Sequence, residues 1–590
     1  MHNVAEIPEP LADILMSSLS PLVTMDISIR SLRQNSLSEM PGAWYRGGGW
    51  VELVDWAVDS CVSAVRLALM GQFVGAAAIL RQQLERWTTY LAGSYGEVRS
   101  KDESIQEFIT RSWTVHVAKG SSEADLPSEP PETVTDDTAS FEMGEPHILH
   151  DHLTLSDGTE ICPGLTYGMV CALLHGDLLS GAALWHSAHL SDVEVLEPEV
   201  IVATEVLADA VSLVLYASRI PLVAMAQGPR GGVPPAYPGS LDRFSTKTPS
   251  EDPPGRPNLA GQLGSLRRTV PPGEALVRPS PICLMPLLPD QGLAEDVVRN
   301  VRQSAKQYEQ TLDGKRIAGR LLRDDELTTI AFQWHRSRYI DQAMHALDYE
   351  RELKGDAFDL TTLTGRGTQV TVLCEVAGLL SLWSTESVNA SALAVLSSGL
   401  RSAFWLWLED DDRSMATLRC VLEQAARLHT HRLKPEKAGR LEADSRTTPS
   451  DWLEAAGWRR MSPLLRALSE FSHGQASARW AGAWKLLSSI QAGSEDDDRV
   501  FPAFQTARGN ALEFVTRVMA LELTRYAEHT HDEATSRSIE LAIEEMLLDV
   551  DPEPSWLNQT LDRIWSYRET ALGAPDIRIS PNSSPDLKQH

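Results

Sequence analysis

Apolar residues recur at steps of three and four along two stretches that share the phrase A-x-L-R-x-x-L-E. The first phrase begins at Ala78 and the second at Ala416. The apolar positions are Ala77, Leu80, Leu84, Trp87 and Leu91 in the first stretch, and Met415, Leu418, Leu422, Ala425 and His429 in the second. This spacing places each set on one face of a helix. The pattern therefore predicts two amphipathic helices of similar construction, far apart in the chain.

The elements around the two phrases recur in the same order. An apolar helix precedes each phrase, and a later helix in each half carries a His-Gly pair, at His175-Gly176 and at His473-Gly474. A further apolar helix follows each pair. This order predicts an internal duplication of a helical bundle with about four helices per copy. The alternative is a coincidence between two leucine-rich helices.

Composition divides the chain into segments. Residues 120–146 are acidic and proline-containing, residues 228–281 hold twelve prolines, and residues 573–590 are rich in Pro and Ser. Such segments bury too little apolar surface to offset their chain entropy, so we expect a disordered insertion, a disordered linker and a loose tail. The fold class predicted is all-α, with a first bundle at 1–227 and a second at 386–572. Residues 282–385 are predicted to be a helical elaboration.

Two stretches within the elaboration do not follow a clear helical pattern. PICLMPLLP, from Pro281, is interpreted as a short extended segment. TQVTVLCEVAGLLSLW, from Thr368, fits either a β-strand or a buried helix, because periodicity alone does not separate the two.

Charge and cysteine usage limit the class of protein. The 590-residue chain has a net charge of −28, which disfavours a broad nucleic-acid-binding face. Its six scattered cysteines are typical of reduced thiols. The N-terminus lacks the pattern of a signal peptide, and the apolar stretch from Ile201 contains charged residues that favour a buried helix over a membrane span. We therefore expect a cytoplasmic protein without a membrane partner.

The shared phrase carries an arginine and a glutamate on one helix face, Arg81 with Glu85 and Arg419 with Glu423. An exposed pair of this kind stabilises a helix by only about 0.3–0.5 kcal/mol. One interpretation is a structural polar network at the bundle edge, completed by the His-Gly histidines. The other is a small anionic pocket, because arginine binds phosphate in a bidentate manner.

The second His-Gly helix also contains Arg466, seven residues before His473, so that both lie on one helix face. This R-x6-H signature on a bundle helix resembles the HEPN superfamily, whose members include metal-independent ribonucleases as well as inactive binding modules. The resemblance implies that His473 acts as general base and that Arg466 stabilises charge on phosphate. His175 is the candidate to protonate the leaving oxygen. The first copy has Gly168 at the position of Arg466.

Taken together, the sequence predicts a helical binding or regulatory module built from two related bundles. Its expected partner is an unidentified protein or a small anionic ligand, and the chain acts alone or as a homo-oligomer. The alternative is a HEPN-type ribonuclease of a toxin, antiviral or stress system, with RNA as its substrate. Neither hypothesis requires a metal or a cofactor.

Overall fold

The structure of the protein is a computed structural model, which describes part of the chain. The described residues are 7–39, 41–94, 99–100, 103–122, 153–154, 160–176, 179–187, 193–226, 279, 281–285, 293–312, 324–355, 361–409, 411–444, 447–472, 483, 485–487, 490, 507–546, 548, 551 and 555–572.

The described residues of the first half are mainly helical. The helices are α1 (Glu9–Ser18), α2 (Leu22–Glu39), α3 (Pro41–Leu69), α4 (Phe73–Ser94), α5 (Ile105–Ser122), α6 (Pro163–His175), a 3-10 helix (Ala182–Ser187) and α7 (Val193–Ala226). Within the described residues, extended structure is limited to β1 (Leu153–Thr154) and β2 (Glu160–Ile161), which pair in antiparallel register with Leu153 opposite Ile161.

The remainder of the chain is helical as well. It contains α8 (Pro281–Leu284), α9 (Leu293–Leu312), α10 (Asp324–Lys354), α11 (Thr361–Trp383), α12 (Ser387–Leu408), α13 (Arg413–Leu433), α14 (Pro435–Ala443), α15 (Pro449–Ala456), a 3-10 helix (Arg459–Met461), α16 (Ser462–Ser472), α17 (Ala507–Thr530), α18 (Glu533–Glu544) and α19 (Ser555–Leu572).

The fold is all-α, as the sequence predicted. The ambiguous stretch from Thr368 lies within helix α11, and residues 281–284 form a single helical turn where an extended segment was expected. Helix α5 runs to Ser122, so the first three residues of the predicted acidic insertion are helical. The rest of that insertion, residues 573–590 and almost all of the predicted linker lie outside the described residues.

Local sequence signals account for several helix ends. Pro163 begins α6, and Gly176 ends it in the left-handed conformation with φ +70°. Only a residue without a side chain adopts that conformation readily, so Gly176 is a helix stop. Helix α15 begins with a capping box between Thr448 and Asp451 and ends at Gly457, with φ +83°.

The two phrase-bearing helices, α4 and α13, each pack against several helices of their own half. Helix α4 contacts α3, α6 and α7, and α13 contacts α12, α16 and α17. The two helices also contact one another, and α4 packs on α12. A Cβ atom on Gly75 of α4 would lie 2.4 Å from the Cβ atom of Ser402 on α12, so the backbones approach closely there.

The predicted elaboration divides between the two halves. Helices α9 and α10 pack on α2, and α10 also packs on α3, whereas α11 packs on α12, α17 and α18.

Two helical stretches, Glu9–Arg33 and Pro198–Leu222, are long and apolar enough to cross a membrane. In these stretches 72% and 61% of the apolar window is buried inside the protein, respectively. Core helices of folded domains meet the same length and composition test.

Candidate functional site

Helices α4 and α13 border a small cleft between the two halves, with an empty volume of about 280 Å³ that includes open solvent. Its polar or titratable lining residues are Arg81, Gln82 and Glu85 from α4 and Arg419 and Cys420 from α13. Three of the four residues predicted from the shared phrase thus line one cavity.

Arg81 is neutralised within its own half. Its Nε donates to Glu85 Oε1 at 2.9 Å, and the Tyr167 hydroxyl of α6 donates to the same oxygen at 2.8 Å. Burial raises the pKa of Tyr167 well above its usual range, so the phenol keeps its proton and remains a donor. Arg81 is therefore held by a carboxylate that is itself fixed by a second helix.

Arg419 is not neutralised in this way. Its Nε donates to Ser469 Oγ of α16 at 3.0 Å. Among the described residues no carboxylate lies within ion-pair distance of its guanidinium. Arg419 is partly buried and lines the cleft.

Glu423, the fourth predicted residue, faces the other half of the molecule. Its Oε1 lies 3.4 Å from Nδ1 of His175, at the end of α6. Burial alone would raise the pKa of Glu423, but its contact with His175 and the nearby charges of Arg419 and Arg427 outweigh burial and hold the pKa at about 2. Glu423 is therefore ionised and paired across the interface.

Side chains of α13 also bind the end of α6. The Arg427 Nη1 donates to the carbonyl of His175 at 2.8 Å, and the Gln424 amide donates to the carbonyl of Leu174 at 3.3 Å. The last carbonyls of a helix lack partners within it, so the second half completes the C-terminus of a first-half helix. The sequence predicts that the Arg, Glu and His of each half converge within that half, whereas His175 of the first half contacts Glu423 of the second.

The two residues of the HEPN-like signature are not both described. Arg466 is exposed on α16, with no hydrogen bond or ion pair to another described residue. His473 lies outside the described residues, so the predicted approach of Arg466 to His473 stays a prediction. The described residues contain no group of three or more His, Cys, Asp or Glu side chains that could hold a metal ion.

The sequence did not predict a buried cluster of charged residues. Glu409, just after α12, accepts from Arg66 of α3 at 3.0 Å and from Arg336 of α10 at 2.5 and 2.9 Å. All three side chains are fully buried. The Arg336 Nε donates to the carbonyl of Cys283 at 2.8 Å. The Arg66 Nε donates to the carbonyl of Leu284, also at 2.8 Å. This triad joins the first half, the middle region and the second half.

A second buried cluster lies beside it. His335 of α10 stands between Asp59 of α3, at 2.6 Å, and Asp26 of α2, at 3.0 Å, and the Tyr308 hydroxyl donates to Asp26 at 2.8 Å. Burial lowers the pKa of His335, but the two carboxylates outweigh it and raise the pKa to about 10. His335 is therefore a charged structural residue at neutral pH.

Helix α10 is also connected to α13 and α4, the two helices that border the cleft, by a chain of hydrogen bonds. The Arg413 Nη2 donates to Tyr339 Oη at 2.5 Å, and its Nη1 donates to Ser60 Oγ at 3.0 Å. The amide of Gln83 on α4 donates to the same Ser60 oxygen at 2.8 Å. The start of α13 and the middle of α4 are thus tied to one hydroxyl.

Comparison with known proteins adds no identity to this geometry: no family model matches the chain, and no curated protein and no solved structure resembles it significantly.

Proposed function

We propose that the protein binds a small anionic group in the cleft between α4 and α13. The observation that carries the proposal is Arg419, a partly buried residue that lines the cleft and has no carboxylate of the described part of the chain within ion-pair distance. A partly desolvated cation is costly unless an opposite charge compensates it. An anion in the cleft would provide that charge.

The balance of charges around the cleft supports a cationic site. Arg81 is paired with Glu85, and Glu423 contacts His175. Arg419 interacts with Glu423 only at longer range, so it is the cleft arginine that forms no ion pair with a described residue. Phosphate and carboxylate fit the planar fork of a guanidinium in a bidentate manner, which makes arginine well suited to both.

The location of the cleft supports a binding or regulatory module. One arginine comes from each half, so an occupant that contacts both would favour the packed arrangement of the halves. The corresponding contacts of α4 and α13 also support our inference that the two bundles arose by duplication. An experimental structure in which α4 and its neighbours superpose on α13 and its neighbours, with Arg81 on Arg419, would be the direct check.

Titration calorimetry with inorganic phosphate and with sulfate tests the proposal. We expect saturable binding of at least one oxyanion to the full chain, weakened by about tenfold or more in Arg419→Gln, because a charge-assisted contact contributes about 1.5–3 kcal/mol. Arg440→Gln removes an equal charge from an exposed position on α14 and is the matched control. No binding by the wild type, or an equal loss in the two variants, would contradict an anion site at the cleft.

A HEPN-type ribonuclease is the second proposal, and the exposed Arg466 favours it. Its guanidinium is open to solvent on α16, as a group that meets an RNA phosphate must be. His473 would take the proton of a ribose 2′-hydroxyl, with His175 as the candidate acid. RNA cleavage that persists in chelator and is lost in both Arg466→Ala and His473→Ala would support this activity. Absence of cleavage in the wild type would remove it.

A further inference from the structure

Gln82 is a buried residue of the cleft lining whose amide oxygen has no partner among the described residues. The residue lines the cavity beside Arg81, yet only 3% of it is exposed to solvent. Its amide nitrogen donates to the carbonyl of Phe471 at the end of α16. That contact fixes the orientation of the amide, because only the nitrogen can donate to a carbonyl. The Oε1 atom is therefore an acceptor, and it has no partner among the described residues.

The Nε donors of the two cleft arginines are bonded to other residues. Arg81 Nε is bonded to Glu85, and Arg419 Nε is bonded to Ser469. Buried acceptors are nearly always matched by a donor from protein, water or ligand. Among the described residues, the cleft thus combines an arginine without an ion pair, which suits an anion, with an unmatched acceptor, which repels a bare anion and suits a group bearing hydrogen.

We propose that the cleft selects an oxyanion that carries its own O–H group, of which hydrogenphosphate is the simplest, and that Gln82 is the residue that selects it. This inference rests on the proposed anion site. The anionic oxygens would lie toward Arg419, and the O–H of the same ion would donate to Gln82 Oε1. Sulfate has the same size and charge but no hydrogen to donate, so it would leave the acceptor unmatched.

The test compares phosphate with sulfate by calorimetry on the full chain, at equal ionic strength and at about pH 8, where both are dianions. We expect the wild type to bind phosphate about five- to tenfold more tightly than sulfate, the effect of one hydrogen bond. This comparison needs no variant. In Gln82→Met, which keeps the length of the side chain and removes its amide, the ratio of the two dissociation constants should fall to about one.

Gln424 provides a matched control. Its amide also donates to a carbonyl at the end of a helix, Leu174, and its buried Oε1 is also without a partner, but it does not line the cleft. Gln424→Met should therefore retain the preference for phosphate.

The possible failures can be told apart. If neither oxyanion binds, the anion site itself is wrong. If both bind with equal affinity and still depend on Arg419, the anion site holds and the selection by Gln82 is overturned. If Gln424→Met loses the preference as completely as Gln82→Met does, the effect is one of packing and the assignment to Gln82 is overturned.

Discussion

His175 and Glu423 belong to opposite halves of the chain and lie 3.4 Å apart, from Nδ1 to Oε1. The glutamate is buried and ionised, and the histidine ends the helix whose carbonyls α13 also binds. The pair therefore connects the two halves of the chain beside the cleft.

Replacing this glutamate should reduce stability in a pH-dependent way. Glu423→Gln should lower the free energy of unfolding at pH 7 by about 1–3 kcal/mol, because a buried charged partner is lost. The pKa of Glu423 in the folded chain, about 2, lies below the ordinary 4.5. Its contribution is thus present above about pH 4.5 and is lost as the pH falls toward 2. Urea unfolding across this range should show wild type and variant converging in acid, whereas the exposed Glu454→Gln should follow the wild type throughout.

The buried triad should be far more sensitive than a surface pair. Glu409→Ala leaves Arg66 and Arg336 buried without their carboxylate, so we expect a loss of about 3–5 kcal/mol. Asp341→Ala breaks the exposed pair with Arg302 and should cost less than about 1 kcal/mol. Chemical denaturation would measure the free energy of unfolding of both variants. Similar losses would show that the buried triad is no more important for stability than the exposed pair.

The cluster around His335 predicts sensitivity to alkali. Its folded pKa of about 10 exceeds the ordinary 6.5, so its contribution is complete below about pH 6.5 and disappears as the pH rises through 10. Between these values stability should fall by about 1.4 kcal/mol per pH unit, the effect of one proton. His335→Gln should remove that component of the slope in urea unfolding at several pH values. An unchanged slope would argue against a protonated His335.

Two glycines should respond to alanine in opposite directions. Gly75→Ala places a methyl group 2.4 Å from the side chain of Ser402, so the close packing of α4 on α12 should be disturbed at a cost of about 1–3 kcal/mol. Gly439 lies in α14 with no neighbour within 4 Å of an added Cβ. Gly439→Ala should raise stability by about 0.5–1 kcal/mol, since alanine favours the helix. Thermal unfolding would detect both shifts, and a neutral Gly75→Ala would mean that the helices can separate without cost.

The sequence predicted what depends on local periodicity. The stripes around Leu84 and Leu422 correctly gave α4 and α13, and the all-α class followed from them. The stretch in α11 stayed ambiguous because a buried helix and a buried strand are both continuously apolar. The His175-Gly176 pair was used only to compare the two halves. The position of Gly176 after an apolar helix also indicates the end of that helix.

Contacts between distant segments could not be predicted from one sequence. Periodicity shows which face of a helix is buried, but it does not identify a partner such as His175 for Glu423. The ion clusters were missed because charged residues are ordinarily assigned to the surface. The run His-Arg-Ser-Arg-Tyr that begins at His335 was nevertheless a signal, since five successive polar or aromatic positions surround a helix and cannot all face solvent.

The triad also has a consequence for how the chain is made. Glu409 follows Arg66 by 343 residues, which a ribosome adds in roughly 17–70 s at a rate of about 5–20 residues per second. During that interval the newly made first half exists without the carboxylate that its buried arginine requires. Arg66 must then stay hydrated, so α3 cannot reach its final packing until the end of α12 has emerged. Chaperones that bind nascent chains would meet the first half in this unfinished state, before Glu409 is available to pair with Arg66.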